Sequence, residues 1–103
     1  MNDGNEQAAL FTLDEARATL ESLRDLAPDG LRVPFSRADV AAVEAAGVEV
    51  KGPAQGLIDF PAEIAGIPAY WCWQSGEAGI EWWHPRDTGF AGRRRIEGDP
   101  PAR

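Results

Sequence analysis

The sequence is poor in the residues from which disulfide-bonded and metal-linked folds are built. Among 103 residues there is one cysteine, Cys72, and one histidine, His84. A single cysteine excludes an intramolecular disulfide and is typical of proteins from a reducing compartment. A single histidine excludes a metal site with two histidines from one chain. We therefore expect a cytoplasmic protein that no disulfide stabilises.

Basic residues and long apolar runs are also scarce. Ten lysines and arginines stand against 17 aspartates and glutamates, which gives a formal net charge of −7. Nucleic-acid binding draws much of its free energy from clustered basic residues, and here only residues 93–95 form such a run. No run approaches the roughly 20 apolar residues of a membrane span, and the opening MNDGNEQ lacks the pattern of a signal peptide. We expect neither a nucleic-acid nor a membrane partner.

What the sequence does contain is enough apolar material for one core. Hydrophobic residues make up 44% of the chain, and four tryptophans and four phenylalanines are among them. A chain of this length typically forms one domain, and large aromatic side chains contribute much of the buried area in a domain of this size. Polar, non-periodic stretches mark the two ends. We predict a folded domain over residues 10–96 between disordered tails, residues 1–9 and 97–103.

The first half of the domain carries two helix signals. In FTLDEA, Thr12 is placed to cap a helix, and Glu15 three residues later completes a capping box. Apolar residues then recur at helical spacing, which predicts a helix over residues 13–27. Ser36 is the cap of a second, shorter helix over residues 37–46.

The second half changes to strand patterns. The segments LIDFPAEI, IPAYWCWQ and IEWWHP are rich in aromatic and β-branched residues and are separated by glycine-containing turns. Because helices come first and strands afterwards, we predict an α+β fold rather than an alternating one. In it, the two N-terminal helices pack on one face of a small antiparallel meander of three to four strands.

A turn at residues 65–66 fixes the pairing of the first two of these strands. It places Asp59 opposite Cys72 and Phe60 opposite Trp71. Because side chains alternate between the faces, Ile58, Phe60, Trp71 and Trp73 share an apolar face on which we expect the helices. The opposite face carries Leu57, Asp59, Tyr70, Cys72 and Gln74.

The third strand can join that polar face in two ways. A five-residue loop after Gln74 places Ile80, Trp82 and His84 beside Asp59 and Cys72, whereas a four-residue loop places Glu81 and Trp83 there. A single-residue bulge exchanges the two outcomes. The sequence leaves both open.

Three segments resemble the prokaryotic family known as domain of unknown function 2203. They are GLIDFPA at residues 56–62, CWQSGE at 72–77 and IEWWHPRDTGFAGRRRI at 80–96. FTLDEARATL at residues 11–20 is similar to the opening helix of the family. Many members have an extended helical hairpin where this chain has only PDGLRVPFS, so the chain resembles a short form. The resemblance supports the fold and implies no activity.

The polar face carries the candidate chemistry, and each residue has a structural alternative. Asp59 either contacts a ligand or accepts hydrogen bonds from backbone amides near the turn at Gly56. Cys72 is either a small buried apolar residue or a reactive or metal-binding thiol. His84 either binds a metal or ligand, or ends its strand with its ring packed on Trp82 or bonded to a backbone carbonyl. Zinc or iron could bind Cys72, His84 and a carboxylate of Asp59 or Glu81, although no spaced metal motif is present and no cofactor is the default expectation.

Arg93 follows a glycine-bracketed loop, DTGFAG, that could present amides and a guanidinium to an anion. The simpler hypothesis, which we favour, is a salt bridge from Arg93 to Glu81 or Asp59.

No complete catalytic set can be named, so the sequence favours a non-enzymatic role. The first hypothesis is a binding or accessory module that holds a small molecule or a protein partner. Its contact face would comprise Asp59, Tyr70, Cys72, Trp82, Glu81 and His84. A metal-binding protein or metal-dependent enzyme is the second hypothesis, and a structural homodimer is the third.

Overall fold

A computed structural model describes residues 10–96 of the chain. Two helices come first, α1 (Leu13–Leu26) and α2 (Arg37–Ala45). Four strands follow, β1 (Glu49–Gly52), β2 (Leu57–Ile64), β3 (Ile67–Gln74) and β4 (Trp82–Pro85). A turn of 3-10 helix (Phe90–Gly92) then leads to a fifth strand, β5 (Arg94–Arg95). The tails predicted for residues 1–9 and 97–103 lie outside the described residues.

The strands form one antiparallel sheet in the order β1-β2-β3-β4-β5. The predicted α+β class and meander are therefore confirmed, but the sheet has five strands and not three to four. The extra strand at the C-terminal edge has only two residues, and two residues are too few to show an alternating pattern. In the described part of the chain, no helix has the length and apolarity that crossing a membrane requires.

Both helices begin where their caps predict. The Thr12 hydroxyl accepts a hydrogen bond from the Glu15 amide at 3.0 Å, and the Glu15 carboxylate accepts one from the Thr12 amide at 2.9 Å. The same box joins Ser36 and Asp39 at the start of α2. Each helix ends one residue earlier than predicted. For α1 the reason is Pro28, because a proline disfavours helical geometry at the residue before it.

The helices cover the apolar face of the sheet, as predicted. Leu13, Ala16, Leu20 and Leu23 of α1 form one buried cluster with Ile58, Phe60, Trp71 and Trp73 of the sheet. The Trp71 indole donates to the backbone oxygen of Phe11 at 2.9 Å, which satisfies its one polar group inside the core. We call this helix-covered side the inner face and the opposite side the outer face.

The register is the predicted one, with Asp59 opposite Cys72 and Phe60 opposite Trp71. On the next strand, His84 lies opposite Tyr70, and Trp82 lies opposite Cys72. The five-residue loop is thus the correct alternative for Trp82 and His84, which share the outer face with Asp59. Ile80 does not join them. It precedes the strand, no longer alternates with it, and belongs to the buried core cluster.

Candidate functional site

Three neighbouring strands bring one carboxylate, one thiol and one imidazole together on the outer face. Asp59 comes from β2, Cys72 from β3 and His84 from β4. One potential ligand atom from each residue lies within 4.8 Å of the other two. All three residues are buried, with exposed fractions of 2%, 0% and 1%. We call these three residues the Asp–Cys–His cluster.

The imidazole of His84 is held by both of its nitrogens. Nδ1 lies 2.8 Å from the backbone oxygen of Pro85, and Nε2 lies 3.0 Å from Oδ2 of Asp59. A carbonyl oxygen can only accept, so Nδ1 carries a hydrogen and Nε2 is the atom directed into the cluster. A histidine ligand in a protein usually donates its second ring hydrogen to an acceptor of this kind.

Only one of the two carboxylate oxygens of Asp59 has polar partners among the described residues. Its Oδ2 is near His84 and lies 3.6 Å from Nζ of Lys51. Its Oδ1 is buried and has no hydrogen-bond partner among the described residues. A buried polar atom without a partner costs about 1–3 kcal/mol, more if it is charged. Oδ1 is therefore a position at which a cation would be stabilising.

Cys72 is a thiol in this environment. Burial raises the pKa of Cys72 far above its usual range, and the negative charge of Asp59 raises it further. The positive charge of Arg93 acts in the opposite direction without overcoming these effects. Cys72 is therefore not an activated nucleophile. A metal ion is the kind of neighbour that would convert such a thiol to a thiolate.

A second layer of polar residues borders the cluster on the β1 side. The Tyr70 hydroxyl donates to the Glu49 carboxylate at 3.0 Å, and the Lys51 ammonium lies 3.4 Å from the same carboxylate and 4.2 Å from the centre of the Tyr70 ring. Burial lowers the pKa of Lys51, but the charge of Asp59, with further help from Tyr70 and Glu49, raises it more, so the net shift is upward. Sequence reasoning missed Lys51, because an irregularity between Val50 and Gly52 interrupts the alternation of β1.

Arg93 forms a salt bridge, but the predicted partners, Glu81 and Asp59, were wrong. It donates to both carboxylate oxygens of Glu77, at 2.7 and 2.9 Å. Glu77 is fixed in the turn after β3, where Oε1 also accepts from the Gln74 amide at 2.8 Å. Glu81 is instead 3.2 Å from Arg95.

The structure therefore divides the predicted contact residues into three groups. Asp59, Cys72 and His84 form the cluster. Tyr70 and Trp82 border it, with the Tyr70 ring centre 5.3 Å from that of His84 and Trp82 opposite Cys72. Glu81 lies apart, because it precedes β4 and faces Arg95.

The cluster does not have the arrangement of a thiol hydrolase. Such a site needs a histidine nitrogen that takes the proton of the cysteine. Here both nitrogens of His84 already contact oxygen atoms, and the pKa of Cys72 is raised and not lowered. The three different donor atoms suit coordination of one ion better than nucleophilic attack.

Fold and site together define a small α+β domain with a buried Asp–Cys–His cluster on the outer face of its sheet. The model of the family described as "Uncharacterized conserved protein (DUF2203)" matches residues 35–96, which is more than half of the chain and includes the whole cluster. The chain belongs to this family. Neither the curated proteins nor the solved structures that were compared with the chain include a significant match.

Proposed function

We propose that this protein binds a single divalent transition-metal ion, zinc or iron, through Asp59, Cys72 and His84. One observation carries the proposal: a sulfur, a nitrogen and an oxygen donor from three adjacent strands lie within 4.8 Å of one another. The orientation of His84 supports it, since the backbone oxygen of Pro85 holds Nδ1 and directs Nε2 toward Asp59, so that an ion placed between Nε2 and Oδ2 would replace their direct contact.

The donor set favours zinc over harder ions. Zinc takes cysteine sulfur, histidine nitrogen and carboxylate oxygen at roughly 2.0–2.3 Å in tetrahedral geometry, which places the donor atoms about 3.5 Å apart. The separation of Nε2 and Oδ2, 3.0 Å, is already short enough, so rotation of the Cys72 and Asp59 side chains would bring all three donor atoms to the ion. Iron(II) accepts the same three donor types.

Burial favours a metal-binding or stabilising role over turnover. Each ligand is at most 2% exposed, so neither a substrate nor a protein partner can reach these side chains in the closed conformation. Three protein ligands leave a fourth position for water or a small anion. A reducing compartment, for which we propose the bacterial cytoplasm, would keep Cys72 able to bind. Use of the outer face by a protein partner and formation of a homodimer stay predictions from the sequence.

Metal content tests the proposal directly. We expect wild-type protein purified without chelators to carry close to one equivalent of zinc or iron, and the Cys72→Ser, His84→Ala and Asp59→Asn variants to carry little. Glu81→Gln is the matched control, because the Glu81 carboxylate directly precedes β4, the strand of His84, but lies outside the cluster. It should bind as wild type does.

Thermal melts of the metal-free variants separate loss of a ligand from loss of the fold. Wild-type protein with less than about 0.1 equivalent of every transition metal, both as purified and after incubation with zinc, would contradict the proposal.

A further inference from the structure

The chain after β4 returns along the edge of the sheet and places Arg93 against Trp82 on the outer face. β4 ends at Pro85, and β5 returns to pair Arg95 with Trp82. Between them, the guanidinium of Arg93 lies 4.8 Å from the ring centre of Trp82 and 4.6 Å from that of Phe90. Trp82 is paired with Cys72 across β3 and β4, so this packing lies on the outer face next to the strand pair that carries the thiol. We call residues 86–95 the cover segment.

The strongest polar tie of the cover segment is the pair between Arg93 and Glu77. Its two hydrogen bonds are short, and the Arg93 side chain is only 11% exposed, so solvent screens the pair weakly. The ion pair between Arg95 and Glu81 is far more exposed, at 58% and 46%, and pairs of that kind contribute little.

Several features make the closed position of the cover segment only marginally stable. β5 has two residues, Phe90 is 42% exposed, and the 3-10 turn is a single turn. Nε of Arg93 is buried without a hydrogen-bond partner among the described residues, which penalises the closed position. Segments that have few buried contacts and only a short stretch of strand pairing are the ones that open locally without global unfolding.

We propose that the cover segment opens locally when the Arg93–Glu77 pair breaks, and that this opening controls access to Cys72 and exchange of the ion at the cluster. The part that concerns the ion rests on the proposed function. The part that concerns access to Cys72 does not, because an alkylating reagent reports opening in metal-free protein.

The test is the rate at which iodoacetamide alkylates Cys72 in metal-free wild type, Glu77→Gln and Glu81→Gln. A hydrogen bond to a charged group is worth enough to change the opening equilibrium roughly 10- to 100-fold, so Glu77→Gln should react faster by that factor. Glu81→Gln, which removes only the exposed pair, should stay within about twofold of wild type.

Two further measurements keep this test specific. Glu77 also contributes to the raised pKa of Cys72, so rates are compared over a range of pH values. If Glu77→Gln only makes opening easier, the alkylation rate rises by the same factor at every pH. If it changes the acidity of the Cys72 thiol, the pH at which the rate reaches half its maximum shifts. Urea at concentrations below the unfolding transition separates local opening of the cover segment from global unfolding as the route by which the reagent reaches Cys72. Local opening exposes little surface, so an alkylation rate that depends on it changes only weakly with urea.

Equal alkylation rates in wild type and Glu77→Gln, or a wild-type rate with the full urea dependence of global unfolding, would overturn the proposal. Release of zinc to a chelator should accelerate by the same factor in Glu77→Gln. Faster alkylation in a protein that binds no metal would support the cover segment and refute the metal site. Unchanged alkylation in a protein that does bind metal would refute the cover segment alone.

Discussion

At the scale of single residues, the sequence could place Asp59 and Cys72 side by side but could not choose their third neighbour. A two-residue turn fixes the β2–β3 register, so one pairing predicts all the others. The loop before β4 can differ by one residue, and that difference exchanges His84 for Glu81. The membership of His84 in the cluster therefore depends on the length of the loop between β3 and β4, which tertiary packing decides. Glu77 was missed as the partner of Arg93 because turn residues show no face preference in sequence.

The raised pKa of Cys72 predicts how stability depends on pH. The folded protein keeps the proton on Cys72, whereas the unfolded chain loses it near the ordinary thiol value of 9.0. The stabilisation from the neutral thiol is thus complete below pH 9 and is lost progressively as the pH rises above it. In metal-free protein, the free energy of unfolding should fall above pH 9 by up to about 1.4 kcal/mol per pH unit more in wild type than in Cys72→Ala.

Urea unfolding of both proteins between pH 7 and pH 10 measures this difference. Cys72→Ala also loses packing, which lowers its free energy of unfolding equally at every pH. This loss cancels when the free energy of each protein is expressed relative to its own value at pH 7. A gap between the two proteins that stays the same from pH 7 to pH 10 would show that Cys72 does not carry the shift.

At the scale of elements, caps and periodicity predicted both helices, and alternation predicted the central strands. What the sequence could not predict were the contacts that hold these elements in place. Arg24 of α1 donates to the backbone oxygens of Glu77 and Ala78, at 3.0 and 2.8 Å, and lies 5.1 Å from the Trp73 ring centre. Arginine on a helix surface usually signals solvent exposure, so nothing in the pattern distinguishes this residue from its neighbours.

Arg24 should therefore contribute to the docking of α1 on the turn between β3 and β4. We expect Arg24→Ala to lower the free energy of unfolding by about 1–2 kcal/mol, because it removes two hydrogen bonds and the packing on Trp73. Arg37→Ala, at an exposed position of α2, is the matched control and should change it by less than about 0.5 kcal/mol. Chemical denaturation of the two variants checks the prediction, and equal effects would contradict it.

At the scale of the whole molecule, the two faces of the sheet have different roles. The inner face supplies the apolar core with α1, α2 and the aromatic residues. The outer face carries buried polar groups, which cost stability unless they are paired. Among the described residues, two buried side-chain atoms lack partners, one on Asp59 and one on Arg93, and both residues influence the pKa of Cys72. The unpaired oxygen of Asp59 is what an ion at the cluster would explain, whereas the unpaired Nε of Arg93 is a donor that a cation cannot satisfy.

A metal ion that binds only the folded state also stabilises it by mass action, by about 2.7 kcal/mol when the free ion is at 100 times its dissociation constant. The most direct measurement is a cobalt(II) titration of chelator-stripped wild-type protein, followed by absorption and by thermal unfolding of the same samples. We predict a cobalt–thiolate charge-transfer band that saturates near one equivalent, accompanied by a rise in Tm, with both absent in Cys72→Ser. No thiolate band and no change in Tm in the wild-type protein would contradict a metal centre at Asp59, Cys72 and His84.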